Sequence, residues 1–300
     1  MTRRPTPVDA DGAVHAAPVA APRPGVVRAL TDLRDTLRVR AFRLHLGMYL
    51  GGYVSQDIFN ATFTFFVIFA LGGSTAGASG LLGSMYVVQL FAVALAIRLV
   101  LAMGPARAYR LAAAAFALGV IVLLGGWRAG IAMGSAWVWI GVGAAGLGRG
   151  MLNYIPWASY NYMADVDEIM TGRRRDGSFA GVMTFVRKAT QAVAVAGAGL
   201  ALEAGGFRAT ASSQHGTAML VLALILGLGT ILLLAAGALI SRRFRLDVRT
   251  HQVLMAEIEH LRTGAATPSS PAARAIVEDL SGCDYARLWG RGSAPATQGR

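Results

Sequence analysis

The stretch Ala164–Ala192, "ADVDEIMTGRRRDGSFAGVMTFVRKATQA", passes from a charged turn into an apolar helix that continues as "VAVAGAGLAL" to Leu202. A bilayer core of ~30 Å takes about 20 helical residues, so residues 179–202 are long enough to cross one. Arg187 and Lys188 lie about nine residues inside that helix, ~13 Å deep. Lys188 is the only lysine among 28 basic residues. Thr184 and Gln191 stand four before and three after it, so the three share a helix face, with Arg187 about 100° away. A polar stripe on an apolar helix is expected to face a bundle interior. On depth alone, snorkelling toward the cytoplasm stays open for both cations.

Five more apolar stretches of spanning length precede and follow this one, giving spans at 44–70, 80–101, 108–126, 133–163, 179–202 and 217–240. The fourth is long for one crossing and holds Pro156, where a bend is expected. The run "GVGAAGLGRG" (Gly141–Gly150) repeats small residues at four-residue spacing, which permits close helix contact. A composition of 55% hydrophobic and 15% charged residues is too apolar for an ordinary soluble domain and suits a polytopic membrane protein. The net charge of +12 sits beside apolar runs, so it reads as an orientation signal rather than a nucleic-acid surface. Arginines crowd the N-terminal segment, the connections near 107 and 173, and the segment after 241, which places both termini in the cytoplasm. One cysteine, Cys283, excludes an internal disulfide framework. The first 25 residues hold no apolar core and are not a signal peptide.

Four segments follow: a disordered tail at 1–25, an amphipathic cytoplasmic linker helix at 26–43, the transmembrane domain at 44–240, and a cytoplasmic tail at 241–300. In that tail, Asp247–Gly264 carries apolar residues at helical spacing and reads as a surface helix, and "ATPSSPAA" as a linker.

Charges inside the spans are the candidate functional residues, because a buried charge in a membrane costs several kcal/mol unless it has a partner, water or a function. Asp57 stands ~20 Å into the first span, with Ser55, Gln56 and Asn60 beside it. Both a structural carboxylate and a cavity-lining one fit. Arg98 is near a span end and is expected to snorkel. Arg149 is deeper; an ion pair with Asp57 and a cavity position both fit. In the fourth connection Asp165, Asp167 and Glu168 precede Arg173, Arg174, Arg175 and Asp176. A solvated topology signal fits this pattern. So does a salt-bridge latch at the cytoplasmic mouth that forms in one conformation and opens in another.

The same connection strongly resembles the link between the tenth and eleventh helices of the glycoside–pentoside–hexuronide cation symporters, the melibiose-permease-like branch of the major facilitator superfamily. The similarity rests on the acidic cluster, the TGRRRDG turn, the TFxxK segment and Pro156–Trp157, with "MGPARAYR" (Met103–Arg110) and the span containing Asp57 adding to it. It covers about residues 26 to 290. The acidic cluster is about one helical turn shorter than in melibiose permease, so latch partners do not map one to one.

The resemblance implies an all-α fold: six transmembrane helices as two inverted three-helix repeats, corresponding to the C-terminal half of a major facilitator transporter. Lys188 matches the family's eleventh-helix lysine, implicated in coupling solute to cation. Asp57 and Arg149 fall on the first helix of each triplet, where the superfamily lines its cavity. Lys188, Asp57, Arg149, Thr184 and Gln191 are therefore the expected coupling residues. The expected function is that of half of a sugar:cation symporter in a bacterial inner membrane, moving a sugar or glycoside with Na⁺ or H⁺. No resident cofactor is expected, and the family's main cation ligands lie in the half this sequence does not contain. A truncated gene or a separate N-terminal half-transporter would account for that, with membrane lipid as the other partner. The alternative is a non-transporting structural or regulatory subunit. An enzyme is not expected, since no metal motif, nucleophile elbow or cysteine cluster is present.

Overall fold

A computed structural model describes residues 34, 36–172, 176–211 and 213–291. The 1–25 tail and half of the 26–43 linker lie outside the described residues. Among the described residues every regular element is a helix. Helix α1 runs Arg40–Phe65 and continues through a π turn, Phe66–Ala70. Then come α2 (Thr75–Met103), α3 (Pro105–Arg128), α4 (Ala136–Tyr160), the short α5 (Met163–Thr171) and α6 (Asp176–Ala204). Helix α7 spans Gly216–Ser241 and contains a second π turn, Ile225–Gly229. Two tail helices follow, α8 (Val248–Arg262) and α9 (Pro271–Ser281).

The boundaries follow local chemistry. Ser74 and Ser135 cap α2 and α4 by accepting from Gly77 N and Trp137 N. Between α2 and α3 the chain reverses at Gly104, whose φ of +79° suits glycine, and Pro105 opens the next helix, where its missing N–H costs nothing. Asp247 and Thr250 form a reciprocal capping box at the start of α8. The expected linker "ATPSSPAA" is shorter than the sequence reading put it: Ser270 caps a helix there, and Pro271 is its first residue.

The six long helices match the six expected stretches. Three of them, α2, α3 and α7, are long and apolar enough to cross a membrane on length and composition. The other three, α1, α4 and α6, carry the buried or half-buried charges Asp57, Arg149 and Arg187.

Packing has a reciprocal pattern. Helix α1 packs on α6 and α7, while α4 packs on α2 and α3; α1 and α4 also touch. The small residues of α4 allow this. A Cβ on Gly148 would lie 2.3 Å from Phe116 N of α3, and one on Gly150 would lie 2.7 Å from Gln89 Cα of α2. The run expected to pack closely therefore does so, with backbone against backbone.

One end of the bundle gathers the start of α1, the α2–α3 turn, α5 and the end of α7. Arg110 donates to Ser241 Oγ at 3.4 Å, and Gly104 adjoins Asp247. The tail helices dock at this end: Arg40 pairs with Asp279, while Trp289 N and Gly290 N donate to Ile169 O and Met170 O of α5 at 2.8 and 2.9 Å.

Candidate functional site

Helix α1 presents polar side chains in two directions. Gln56 and Asn60, four residues apart, face α4; Asp57 faces α6. Asp57 Oδ1 accepts from Arg187 Nη2 at 2.8 Å and from Gln191 Nε2 at 3.2 Å. Arg187 Nη1 sits 2.6 Å from Oδ2 and completes the ion pair. The guanidinium also lies over the Tyr53 ring, 5.2 Å from its centre.

This corrects the expected stripe on α6. The interior face pairs Arg187 with Gln191, not Lys188 with Gln191. The reason is the helix register: Phe179 and Met183, buried four residues apart, set a face that continues through Arg187 and Gln191. Gln191 lies between the two possible stripes, and Asp57 selects the one carrying Arg187. Thr184 and Lys188 are exposed, and no described side chain bonds to either. Lys188 therefore stands beside the ion pair, on the open side of the helix.

Arg149 does not pair with Asp57. It is 2% exposed, and among the described residues no carboxylate lies within ion-pair distance. Its Nη2 donates to Asn60 Oδ1 at 2.9 Å, Nε to Gln56 Oε1 at 3.5 Å, and Nη1 meets Met85 Sδ at 3.5 Å. The rings of Phe59, Phe116 and Tyr86 stand 5.3, 5.9 and 6.0 Å away. Neutral oxygens and π faces thus replace a counter-ion.

From Gln56 the network continues through Asn153 of α4 to Gln89 of α2, with bonds of 3.1 and 3.0 Å. Tyr53 OH donates to Asn153 O at 3.2 Å and accepts from Trp157 Nε1 at 3.1 Å. Trp157 packs with Tyr49 and Tyr160, yet 45% of it is exposed. Sequence reading passed over Gln89, Asn153, Tyr53 and Trp157 as site residues. The signal available was their spacing: Asn153 and Trp157 stand one turn and two turns beyond Arg149 on one face.

The acids of α5 meet the C-terminal tail. Asp165 Oδ2 is 2.8 Å from His251 Nε2, whose ring stacks on Tyr162 at 4.0 Å. Glu168 accepts from Arg262 at 2.5 Å, and Asp167 is buried. Arg173, Arg174, Arg175 and the Asp176 side chain, the other members of the expected latch, lie outside the described residues. The tail partners His251 and Arg262 were not foreseen.

The family described as MFS/sugar transport protein matches residues 11–248. An uncharacterized symporter of Synechocystis sp. is 40% identical over 63 residues, which is 21% of this chain and 12% of that protein. The alignment thus covers far less than two thirds of the relative's length. With helices apolar enough for a bilayer and a family match over most of its length, the chain is an integral membrane protein that belongs to the MFS/sugar transport protein family.

Proposed function

We propose that all six long helices cross the membrane and form one half of a sugar:cation symporter that works by alternating access. The carrying observation is the buried polar network joining α1 and α4, the first helices of the two expected triplets, with the exposed Lys188 next to the Asp57–Arg187 pair on the other side of α1. The reciprocal packing supports two inverted three-helix repeats, since each first helix sits among the second and third helices of the other triplet. Arginines at the α2–α3 turn and after α7 share one end of the bundle, which supports cytoplasmic termini in a bacterial inner membrane.

In this reading Lys188 faces the solute pathway with Thr184, and Trp157 offers an aromatic surface to a sugar ring. Asp57 holds Arg187 and Gln191 in place. Its carboxylate is already satisfied by that pair, so a coupling Na⁺ or H⁺ draws its main ligands from a second bundle facing Lys188. That bundle, a separate N-terminal half-transporter or its equivalent, would enclose the cavity together with this one, with lipid around both. The α5 acids, held by the tail, act as the cytoplasmic gate.

The test is uptake of radiolabelled methyl glycosides into proteoliposomes under an imposed Na⁺ or H⁺ gradient. The chain is reconstituted alone and with the N-terminal half of a homologous symporter. Gradient-dependent uptake that Lys188→Ala abolishes is expected with both halves present. Uptake by neither preparation, with both proteins folded, would favour the non-transporting subunit.

A further inference from the structure

The amide network has a direction, and its far end is unfinished. Gly52 O can only accept, so the Gln56 atom facing it at 3.2 Å is nitrogen. Arg149 can only donate, so the Gln56 atom facing its Nε is oxygen. These anchors agree, and each amide orients the next. Gln56 Nε2 donates to Asn153 Oδ1, and Asn153 Nδ2 donates to Gln89 Oε1. Gln89 must then direct its NH₂ group onward. That nitrogen is buried and has no acceptor among the described residues. Gln89 as a whole is 8% exposed.

A sealed amide donor without an acceptor is expensive, and a glutamine at this place on an apolar helix is not needed for packing. Replacing the whole chain of amides by apolar groups would remove the cost. The chain begins on a guanidinium, and aligned hydrogen bonds polarise one another, so the last donor is strengthened by the bonds behind it. Asn153 connects it to the aromatic surface: Trp157 is one turn beyond Asn153 on α4 and is joined to it through Tyr53. Asn153 thus stands one helical turn from the aromatic surface and bonds Gln89 directly.

We propose that Gln89 is a solute-binding, specificity-determining residue, whose Nε2 donates to a hydroxyl or ring oxygen of the transported sugar. The proposal rests on the sugar-transport reading above. In the present conformation the donor is closed off, and the solute reaches it in the other conformation of the transport cycle.

The test uses the purified full chain together with the N-terminal half of a homologous symporter, with methyl β-glucoside, methyl β-galactoside, methyl β-xyloside and their monodeoxy forms as probes. Binding is read from Trp fluorescence and from thermal unfolding. Gln89→Glu keeps the oxygen that Asn153 needs and removes the donor. Its affinity for the bound glycoside is expected to fall about tenfold, while one monodeoxy form binds wild type and variant alike. Because burial raises a carboxyl's pKa and a carboxyl donates only when protonated, affinity is expected to recover as pH falls from about 8 to about 5, but not for the monodeoxy form that lacks the bound hydroxyl, a distinction that a purely structural role would not give. Gln89→Met, of similar volume, serves if Gln89→Glu does not fold, with the same loss expected and no recovery. Wild-type affinity of both variants for every probe would overturn the assignment of Gln89 and leave the transport reading standing. Failure of wild type to bind any probe would overturn both.

Discussion

Replacing Asp57 by Asn removes one charge from a pair whose side chains are 8% and 14% exposed. Breaking a buried pair from one side costs about 3–5 kcal/mol, because the remaining charge is stranded. Two features lower that here. Asn keeps an oxygen for Gln191 or Arg187, and the Tyr53 ring 5.2 Å from the guanidinium retains a cation–π contact worth about 1 kcal/mol. The expected loss is therefore about 2–3 kcal/mol, or roughly 5–10 °C in the unfolding midpoint of a bundle of this size. Arg187→Gln alone should cost a similar amount, since Asp57 then keeps only Gln191. Combining the two leaves a neutral Asn–Gln contact, and the double variant should regain about 2 kcal/mol relative to the sum of the singles. Thermal unfolding of all four proteins in one detergent completes the cycle. Additive losses, or an unchanged midpoint in Asp57→Asn, would refute the claim that this pair ties α1 to α6.

Gly148→Ala should prevent normal assembly, because its Cβ would stand 2.3 Å from a backbone nitrogen; Gly143→Ala, with nothing within 4 Å, should be silent, and size-exclusion profiles will separate them. Lys188→Ala should leave the unfolding midpoint within about 1 °C, since an exposed side chain without partners holds nothing together, while uptake is lost. Glu257 gives the tail an acid limit. Burial pushes its carboxyl up, but hydrogen bonds from Ser269 and Tyr285 outweigh this and hold it below its ordinary 4.5. Its contribution is thus complete above that ordinary value and is lost as pH falls through the lowered native one. Hydrogen exchange of α8 and α9 should show acid opening in wild type and a flatter pH response in Glu257→Gln.

The long helices were legible because each is an apolar stretch ended by glycine, proline or a capping serine. The buried charges were legible too, since such residues are expensive in an apolar segment. Their pairings were not. Arg187 and Lys188 are adjacent, Gln191 is compatible with either, and only the register set by Phe179 and Met183 decides between them. The amides Gln56, Gln89 and Asn153 escaped notice because a single neutral polar residue in an apolar helix is common, and their significance comes from meeting across three helices. Helix α9 was hidden by "SSP", which reads as a linker, although Ser270–Pro271 is equally a cap followed by a first helical residue. The docking of the tail on α5 depends on contacts between segments 86 and 94 residues apart, and no local pattern announces them.

The reciprocal packing also bears on biogenesis. On the six-span reading, α1 is synthesised before the other five helices, and its partners α6 and α7 come last of the six. Asp57 precedes Arg187 by 130 residues, and an unpaired Asp at the centre of an inserting helix costs about 3 kcal/mol. During that interval α2, α3 and α4 can begin to assemble, with Gln56 and Asn60 of α1 meeting Arg149 of α4, while Asp57 still lacks its partner on α6. The ion pair that stabilises the finished bundle then acts as a completion signal: until α6 is inserted, Asp57 of α1 lacks Arg187.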